Sequence, residues 1–434
     1  MYEKILTQLQ EEHTNVSIDT RTIAKGDIYI AIKGEKFDGH SFVREAITKG
    51  ASVCIVEKNN TYIQDIEATH LLYVEDTTKA LHELAGTYRD MFDIPVIGIS
   101  GCNGKTTTKN MLASVCKAYV GEEAVLYTQK NNNNDIGVSL TILSLRKTHK
   151  LAVIELGSNH KGEIELLCSI AKPTHGITTN IGAAHIEFFG TLEAIADEEG
   201  FIGTTLPENG SYVLLEKDTY TKYISKKTKA NVQLAGKLYI EHIYDTEDIL
   251  QKLSGIGISA PHLVDDALLV LTMSHILNIP LDTVLSGLAS ATNDRGRFHI
   301  QNVIIQNTKC ILIDDTYNAN PDSVIASIKA TATLYPTQQK ILVLGELKEL
   351  GTYLRTGYGR INEALKEYTF SEVIYVGIDA SLLHTDSAAF QKTHCPSNSE
   401  AISYITTHCK ADAVILCKGS NGAKMWEVVQ GLSK

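Results

Sequence analysis

The sequence lacks any stretch that could cross a membrane and any cysteine pattern typical of disulfides or metal sites. No run approaches the 18 apolar residues of a membrane span, and the N-terminus shows no charged-then-apolar signal pattern. The eight cysteines include no C-x-x-C pair, so we expect reduced, mostly buried thiols. These absences argue against an integral membrane protein and a disulfide-stapled secreted domain, and we expect a cytoplasmic protein.

The sequence also lacks an excess of positive charge. Lys and Arg total 40 against 51 Asp and Glu, which gives a net charge of −11. General binding to nucleic acid or to an anionic membrane surface depends on basic patches, so we expect neither partner. Any anionic substrate must instead meet local positive charge. With 434 residues, 43% of them hydrophobic, the chain can form two to four globular domains.

The strongest motif is the stretch 98–108, which reads G-I-S-G-C-N-G-K-T-T-T. An apolar run at 94–99 precedes it and a helical pattern at 109–120 follows, which predicts a strand, a glycine loop and a helix. Lys105 would reach the β- and γ-phosphates of a nucleotide, and the Thr106 hydroxyl would hold Mg²⁺. Gly101 and Gly104 would let the backbone approach a phosphate closely. The sequence therefore predicts a nucleotide site.

The usual phosphate loop has glycine where this chain has Ile99. The loop is therefore a variant of the general pattern, and this variant is typical of one family. The pattern G-x-x-G-x-N-G-K-T-T resembles the loop of the Mur ligases, ATP-dependent enzymes that join an amino acid or peptide to a carboxylate. The resemblance implies that ATP and Mg²⁺ are the cofactors. It also implies that Asn103 and Thr107 bind ATP together with Gly101, Gly104, Lys105 and Thr106.

Two later segments carry candidate metal ligands. Glu155 ends a strand predicted at 151–156, at the edge where α/β folds place ligand-binding groups, and its carboxylate suits Mg²⁺. The segment 181–190, I-G-A-A-H-I-E-F-F-G, resembles a Mur ligase motif in which the histidine is a second metal ligand, here His185. The residues that the resemblance implies to be catalytic are Lys105, Glu155, His185 and Arg297.

Position 199 departs from the family pattern. Mur ligases carry a lysine there whose carbamate supports the second Mg²⁺, whereas this chain has Glu199. Glutamate offers a carboxylate without carbon dioxide, but it is shorter by about three bonds, on the order of 3.5 Å. Two interpretations stay open. Glu199 is a metal ligand, through a bridging water or a shifted ion, or residues 197–199 form an acidic, exposed helix turn.

The first 85 residues are typical of a small α/β unit with two polar segments, D-T-R at 19–21 and K-G-E-K-F-D-G-H at 33–40. Both resemble the Mur ligase N-terminal domain that holds a UDP-sugar, and Arg21 and Lys33 supply the charge that a diphosphate requires. The asparagine-rich stretch before Asp135 resembles a further substrate segment. The implied UDP-substrate residues are Asp19, Thr20, Arg21, Lys33, Asp38, Gly39, His40, Asn133 and Asn134.

From about residue 301 an alternation of strands and helices restarts and predicts a parallel, Rossmann-like sheet. The string at 314–323, D-D-T-Y-N-A-N-P-D-S, resembles that of the Mur ligases that add D-alanyl-D-alanine, with only Thr316 changed. The residues implied for the dipeptide site and for closure are Asn318, Asn320, Lys418 and Ser420. Those implied for further ATP contacts are Asp266, Arg297 and Asp315.

The order of these segments predicts an α/β protein with a three-domain Mur ligase architecture. Its parts are an N-terminal UDP-substrate domain at 1–88, a central P-loop ATPase domain at 89–300 and a C-terminal Rossmann-like domain at 301–434. The resemblance implies ATP-dependent addition of D-alanyl-D-alanine to a UDP-N-acetylmuramoyl-tripeptide through an acyl phosphate, a step in peptidoglycan synthesis. We expect a monomer whose C-terminal unit closes on the ATP unit during turnover.

Three further departures keep alternatives open. Asp266 stands for an asparagine of the family, Tyr358 for a histidine and Asn421 for an arginine. A diverged paralogue that uses another amine is one alternative, and a non-catalytic, nucleotide-binding member of the fold is the other. The presence of Lys105 and Glu155 favours an enzyme.

Overall fold

The computed structural model describes residues 2–11, 14–236, 246–291, 295–378 and 390–433. Its strands form three sheets that follow one another along the chain, at 16–74, 96–235 and 299–418. The predicted boundary after 88 falls between the first two sheets, whereas the one after 300 falls within the first strand of the third sheet, His299–Ile305. As limits of independent domains both stay predictions. Within the described ranges, no helix has the length and apolar character to cross a bilayer.

The first sheet is small and entirely parallel, in the spatial order β1-β2-β3-β4. Ile28 and Ile30 pack in one hydrophobic cluster with Leu81, whereas Tyr29 between them packs in another with Val43. This alternation follows from the two-residue period of a strand, and it shows that both faces are covered. The bounds are α1 Glu3–Leu9, β1 Val16–Ser17, β2 Ile28–Ile30, α2 Val43–Thr48, β3 Val53–Glu57, β4 Leu71–Val74 and α3 Thr77–Arg89.

The central sheet has six parallel strands in the order β10-β9-β8-β5-β7-β6. Their bounds are β5 Val96–Ser100, β6 Val125–Tyr127, β7 Leu151–Glu155, β8 His175–Thr178, β9 Ser211–Leu215 and β10 Asn231–Ala235. The phosphate-loop strand β5 pairs with β7 on one side and β8 on the other. Because the carboxyl ends of parallel strands share one edge, the loop, Glu155 and the segment that carries His185 emerge together.

Helices surround the central sheet. They are α4 Lys105–Val120, α5 Asp135–Leu143, α6 Glu163–Ala171, α7 Ile186–Phe189, α8 Leu192–Glu199, α9 Phe201–Thr205, α10 Thr221–Ile224, α11 Thr246–Gly255, α12 Pro261–Ile276 and α13 Leu281–Ser290. The prediction that the helix after the phosphate loop starts at residue 109 was wrong, because α4 begins at Lys105. Gly104, with φ of +82°, is its N-cap, so the loop threonines already belong to the first helical turn.

The third sheet has the order β11-β12-β16-β13-β14-β15. Strands β12 to β16 pair in parallel as predicted. The additional strand β11 pairs antiparallel with β12 through a turn at Gln306 and Asn307, both with positive φ. The strands are β11 His299–Ile305, β12 Thr308–Asp315, β13 Lys340–Gly345, β14 Glu372–Val376, β15 Gln391–Cys395 and β16 Val414–Lys418. The helices are α14 Pro321–Leu334, α15 Leu354–Glu367, α16 Asn398–His408 and α17 Trp426–Leu432.

Helix α3 ties the first unit to the central one through buried polar side chains. The Tyr88 hydroxyl lies 3.0 Å from the carbonyl oxygen of Leu9 and 2.9 Å from that of Leu145. The buried Arg89 guanidinium donates to the carbonyl oxygen of Ala171 at 3.2 Å. One hydrophobic cluster runs through both units, so they share a continuous core.

Candidate active site

A cleft of about 1130 Å³ lies between the central and C-terminal units, at the carboxyl ends of their strands. It brings together most of the residues predicted from the central and C-terminal parts of the sequence. The predicted residues that line it are Asn103, Gly104, Lys105, Thr106, Thr107, Asn133, Asn134, Glu155, His185, Asp266, Arg297, Asp315, Asn318, Asn320, Lys418 and Ser420.

The phosphate loop requires glycine at two positions, because the backbone has a positive φ there and neighbouring atoms leave no room for a Cβ. Gly101 has φ of +121°, and a Cβ there would lie 2.2 Å from the Thr179 hydroxyl oxygen. A Cβ on Gly104 would lie 2.4 Å from Asp266 Oδ1. The Lys105 ammonium donates to the Gly101 carbonyl oxygen. The loop therefore presents the N-terminus of α4 to the cleft, a geometry that favours phosphate.

Glu155 is buried beside the loop with one carboxylate oxygen left over. Its Oε1 accepts from the Thr106 hydroxyl at 3.0 Å and from Asn133 Nδ2 at 2.9 Å. Its Oε2 is buried and has no hydrogen-bond partner among the described groups. A buried carboxylate oxygen without a donor is unfavourable unless a cation or another donor satisfies it.

His185 meets a carboxylate from the C-terminal unit. Its Nδ1 lies 2.5 Å from Glu349 Oε2. Burial lowers the pKa of His185, and the charge of Glu349 opposes that effect. Glu349 was not among the sequence predictions; it lies on the loop that follows β13. The chain carries no local pattern that pairs the two residues, because they are 164 positions apart.

Glu199 lies beneath the phosphate loop, and it is absent from the residues that line the cleft. Its Oε2 accepts from the Gly101 N–H at 2.7 Å, and its Oε1 is 3.9 Å from the Lys105 ammonium. Burial raises its pKa, while Lys105 opposes the rise. The structure therefore does not bring Glu199 together with Glu155 and His185 at the cleft wall.

The alternative interpretation of residues 197–199, an exposed acidic turn, was wrong for two of its three members. Glu199 is only 3% exposed and Glu198 only 5% exposed. Glu198 accepts hydrogen bonds from the backbone N–H groups of Gly162 and Ile164 at 2.7 and 2.8 Å. Consecutive acidic residues suggested solvent, but backbone donors at the start of α6 and in the loop satisfy these carboxylates instead.

Arg297 and Asp266 flank the loop from the other side. The Arg297 guanidinium lies over the Tyr317 ring, 4.1 Å from its centroid, and its Nε is buried without a partner in the described part of the chain. Asp266 accepts from the Thr108 hydroxyl at 3.2 Å. Burial raises the pKa of Asp266 well above its usual range, and the neighbouring charge of Asp265 adds to the rise.

Asp315 and Lys418 form a buried ion pair at the base of the C-terminal wall. Lys418 Nζ lies 2.6 Å from Asp315 Oδ2, which also accepts from the Ser327 hydroxyl at 2.5 Å. Burial alone would raise the pKa of Asp315, but the attraction of Lys418 holds it below its usual value. Lys418, predicted for the dipeptide site, is thus already engaged with the residue predicted to contact the nucleotide.

His262, on α12 of the central unit, also lines the cleft and was missed from the sequence. Burial lowers its pKa to about 4, and its Nδ1 is buried with no partner in the described structure. Its ring packs edge-on against Phe298, with centroids 4.9 Å apart. A lone histidine at the start of an apolar helix gives no local signal of a site.

The C-terminal wall also contacts the phosphate loop directly. Asn320 Nδ2 donates to Asn103 Oδ1 at 2.9 Å, while Asn320 Oδ1 accepts from the Ser323 N–H and caps α14. The Ser420 hydroxyl accepts from the Lys348 N–H at 2.8 Å. The segment 314–323 and the phosphate loop are therefore neighbours across one cleft.

Three sequence profiles match the chain in the order of its three sheets. The profile described as the catalytic domain of the Mur ligase family matches residues 12–89, the Mur ligase middle domain matches 99–265, and the Mur ligase glutamate ligase domain matches 296–421. The chain belongs to the Mur ligase family. The predicted family and its α/β architecture are therefore confirmed.

Mur ligases of two bacteria illustrate the similarity in sequence. The UDP-N-acetylmuramoyl-tripeptide–D-alanyl-D-alanine ligase of Escherichia coli is 32% identical over 438 residues, which cover 96% of this chain and 93% of the relative. The enzyme of the same name from Bacillus subtilis is 30% identical, over 100% of this chain and 96% of the relative. The similarity thus extends through all three units.

Solved Mur ligase structures share the fold. MurF from Acinetobacter baumannii superposes with a TM-score of 0.80 at 27% identity, over 99% of this chain and 98% of that one. The MurF ligase of Thermotoga maritima, solved in complex with ADP, gives 0.80 at 24% identity, over 98% of each chain. The second likeness is evidence for the fold alone.

The N-terminal residues predicted from the Mur ligase resemblance lie apart from this cleft. Of the predicted residues before position 100, all of which the structure describes, none lines it. Asp19 and Arg21 pair at 2.6 Å on an exposed turn, and the backbones of Lys33 and Asp38 form an antiparallel β-bridge across the second segment. The predicted residues of this first unit are therefore separate from the cleft.

Two of these N-terminal residues have structural tasks. His40 is 1% exposed, with Nδ1 2.6 Å from Asp38 Oδ1 and with Nε2 accepting from the Glu57 N–H at 2.9 Å. A Cβ on Gly39 would lie 2.7 Å from the Ile32 carbonyl oxygen. The prediction that His40 contacts the substrate is not supported by this geometry, because both ring nitrogens are engaged inside the unit.

Proposed function

We propose that the chain joins the amino group of D-alanyl-D-alanine to the terminal carboxylate of a UDP-N-acetylmuramoyl-tripeptide, at the expense of ATP. The observation that carries this proposal is the contact between the phosphate loop and the 314–323 segment, made by Asn103 and Asn320. The loop suits a nucleotide, and the segment is the part of the chain most similar to the ligases that add this dipeptide. The relatives from Escherichia coli and Bacillus subtilis, whose names contain both of these substrates, support the same assignment.

The reaction follows from the poor reactivity of a carboxylate. A carboxylate oxygen of the tripeptide attacks the γ-phosphorus of ATP, ADP leaves, and an acyl phosphate forms. The dipeptide amine then attacks the acyl carbon, phosphate leaves and the amine loses a proton, which gives an amide. Catalysis of this kind relies on positioning and on neutralising phosphoryl charge. We assign that task to Lys105, to Arg297 and to the backbone N–H groups of the loop.

The residues beside the loop fit Mg²⁺. Mg²⁺ prefers oxygen ligands and commonly takes one or two from the protein and the rest from phosphate and water. The unpartnered Glu155 Oε2 and the Thr106 hydroxyl supply that set, and His185 would face a second cation. In the described ranges no group of three or more His, Cys, Asp or Glu side chains is arranged to hold a metal by itself. When bound, the ion would neutralise charge on the phosphates.

The first unit would hold the UDP end of the substrate. Arg21 is exposed, and Lys33 lies at the base of a loop whose Phe37 side chain is 73% exposed, so a cation and an aromatic ring are available to a nucleotide. Asn133 and Asn134 would meet the peptide end at the cleft. ATP and UDP-linked precursors are cytoplasmic, and we propose that the enzyme acts there. That it works as a monomer stays a prediction.

Phosphate release by the purified protein tests the proposal. We expect release from ATP only when UDP-muramyl-tripeptide and D-alanyl-D-alanine are both present. We expect no dependence on added bicarbonate, because position 199 carries no lysine that could form a carbamate. Release with the tripeptide and a different amine would indicate the diverged paralogue. ATP binding without any release would indicate a non-catalytic member of the fold.

A further inference from the structure

His185 and Glu349 come from different units and meet at the wall of the cleft. His185 follows β8 of the central unit, and Glu349 lies on the loop after β13 of the C-terminal unit. Their side chains are 2.5 Å apart, and that of His185 is 22% exposed. The pair is therefore a polar contact that exists only while the two units are docked.

The backbone on both sides is adapted to this contact. His185 and Glu349 have φ of +52° and +61°, a left-handed conformation that costs a non-glycine residue on the order of 1 kcal/mol or more. The Glu187 N–H donates to the Glu349 carbonyl oxygen at 3.1 Å. A Cβ on Gly351 would lie 3.1 Å from Glu187 Cγ. The two loops thus touch over several residues and hold the side chains in register.

The chemistry of the pair determines which ring nitrogen is free. A carboxylate can only accept, so Nδ1 of His185 carries a proton, and in the neutral ring Nε2 then keeps its lone pair. Where histidine ligates a metal, such a carboxylate fixes the tautomer, orients the ring and raises its basicity. The unpartnered oxygen of Glu155 lines the same cleft as His185.

We propose that Glu349 is a positioning residue for His185, so that the cation site of the ATP unit is complete only when the C-terminal unit has docked. Glu349 sets the tautomer and ring orientation in which His185 can receive a divalent cation. The inference rests on the proposed function, in which a cation accompanies ATP. The unit that brings the amine thereby prepares the opposite wall for the acyl phosphate.

Binding of Mn²⁺ by the full chain tests this role. Free Mn²⁺ is measured by electron paramagnetic resonance, with a non-hydrolysable ATP analogue present, for wild type, Glu349→Gln and Glu349→Ala. We expect Mn²⁺ affinity to fall about 10-fold or more for Glu349→Ala, as for other residues that support metal ligands. The loss should be smaller for Glu349→Gln, which keeps an acceptor oxygen. Glu346→Gln is the matched control, because Glu346 is exposed on the same loop.

A second measurement separates positioning from folding. Nitrogen-15 NMR of the histidines should show His185 in the Nδ1–H tautomer in wild type and a mixture in Glu349→Ala, with thermal unfolding unchanged. Wild-type Mn²⁺ affinity in both Glu349 variants would overturn the inference and leave the proposed function standing. A wild-type protein that binds the analogue but no Mn²⁺ would overturn both.

Discussion

The cleft and the Asp38–His40 turn of the N-terminal unit differ in whether their buried polar atoms have hydrogen-bond partners. In the cleft, buried polar atoms lie without hydrogen-bond partners among the described residues: Glu155 Oε2, His262 Nδ1 and Arg297 Nε. In the N-terminal unit, Asp38 and His40 satisfy each other and the nearby backbone. Among the described residues, five buried side-chain polar atoms have no hydrogen-bond partner, and three of them belong to residues that line the cleft.

This difference separates a site that awaits a ligand from a turn that supports itself. A buried polar group without a partner costs about 1–3 kcal/mol, so a fold does not keep three of them around one cavity without a use. A paired aspartate and histidine stabilise the fold with or without a ligand. Substitutions in the two regions should therefore have opposite consequences for activity and stability.

The largest effect should come from Lys105, whose charge serves the transferring phosphoryl group. We expect Lys105→Met to lower kcat/KM for ATP by about 10³-fold, the range found when a main electrostatic donor is removed. Phosphate release under saturating tripeptide and dipeptide is the measurement. Lys147→Met, at an exposed lysine of the same unit, should stay within about twofold of wild type. A loss of less than tenfold at Lys105 would contradict the role given to the loop.

Glu155→Gln should show the cost of an unmet polar group. We expect kcat/KM to fall about 10²-fold, because the variant loses the negative charge that a cation requires. Ligand-free stability should not fall, and a gain of about 1 kcal/mol is expected, since an unpartnered buried charge is removed. Urea unfolding and phosphate release on the same preparation test both. A marked loss of stability would show instead that the charge of Glu155 strengthens its hydrogen bonds to Thr106 and Asn133 in the ligand-free fold.

His40→Ala should give the reverse pattern. It removes a buried ring with two hydrogen bonds, and we expect the free energy of unfolding to fall by about 2–3 kcal/mol. The KM for ATP should not change, because His40 is outside the cleft. Urea unfolding and ATP titration give the two values. An unchanged stability with a raised KM for the UDP substrate would instead place His40 in the substrate site.

The smallest effect concerns pH and His262. Its folded pKa of about 4 lies below the unfolded value near 6.5, so between these values the unfolded chain binds the extra proton. Stability should therefore rise with pH from about 4 to 6.5, by on the order of 2 kcal/mol from this group. His262→Gln should flatten that part of the profile in urea unfolding at several pH values. An unaltered slope would mean that the ring is solvated.

Sequence predicted the parts of the site that depend on local chemistry. Gly101 and Gly104 were found because only glycine tolerates their backbone and crowding, and Glu155 because it ends an apolar run. The sheets followed from such runs, whereas β15, which reads Q-K-T-H-C, was missed because its exposed edge is polar. The local sequence pattern was thus sufficient to predict a structural feature that is formed by a single segment of the chain.

Contacts between distant segments were not predictable in the same way. Glu349 reaches His185 across 164 positions, and nothing in its own loop indicates a histidine partner. The exposed-turn interpretation of Glu199 was wrong for a related reason, because its acceptor role depends on the Gly101 N–H, a donor on another strand's loop. His262 gave no signal, since its importance comes from the C-terminal wall that covers it.

The anchoring of Tyr88 and Arg89 has a mechanical consequence. Because these side chains bond the first unit to carbonyl groups of the central one, the two units should move together as one rigid body. The C-terminal unit faces that rigid body across the cleft, so it is the unit that can rotate relative to the other two. A small molecule that binds between the C-terminal unit and the other two would prevent their closure. It would therefore inhibit amide synthesis without resembling ATP, the sugar nucleotide or the dipeptide.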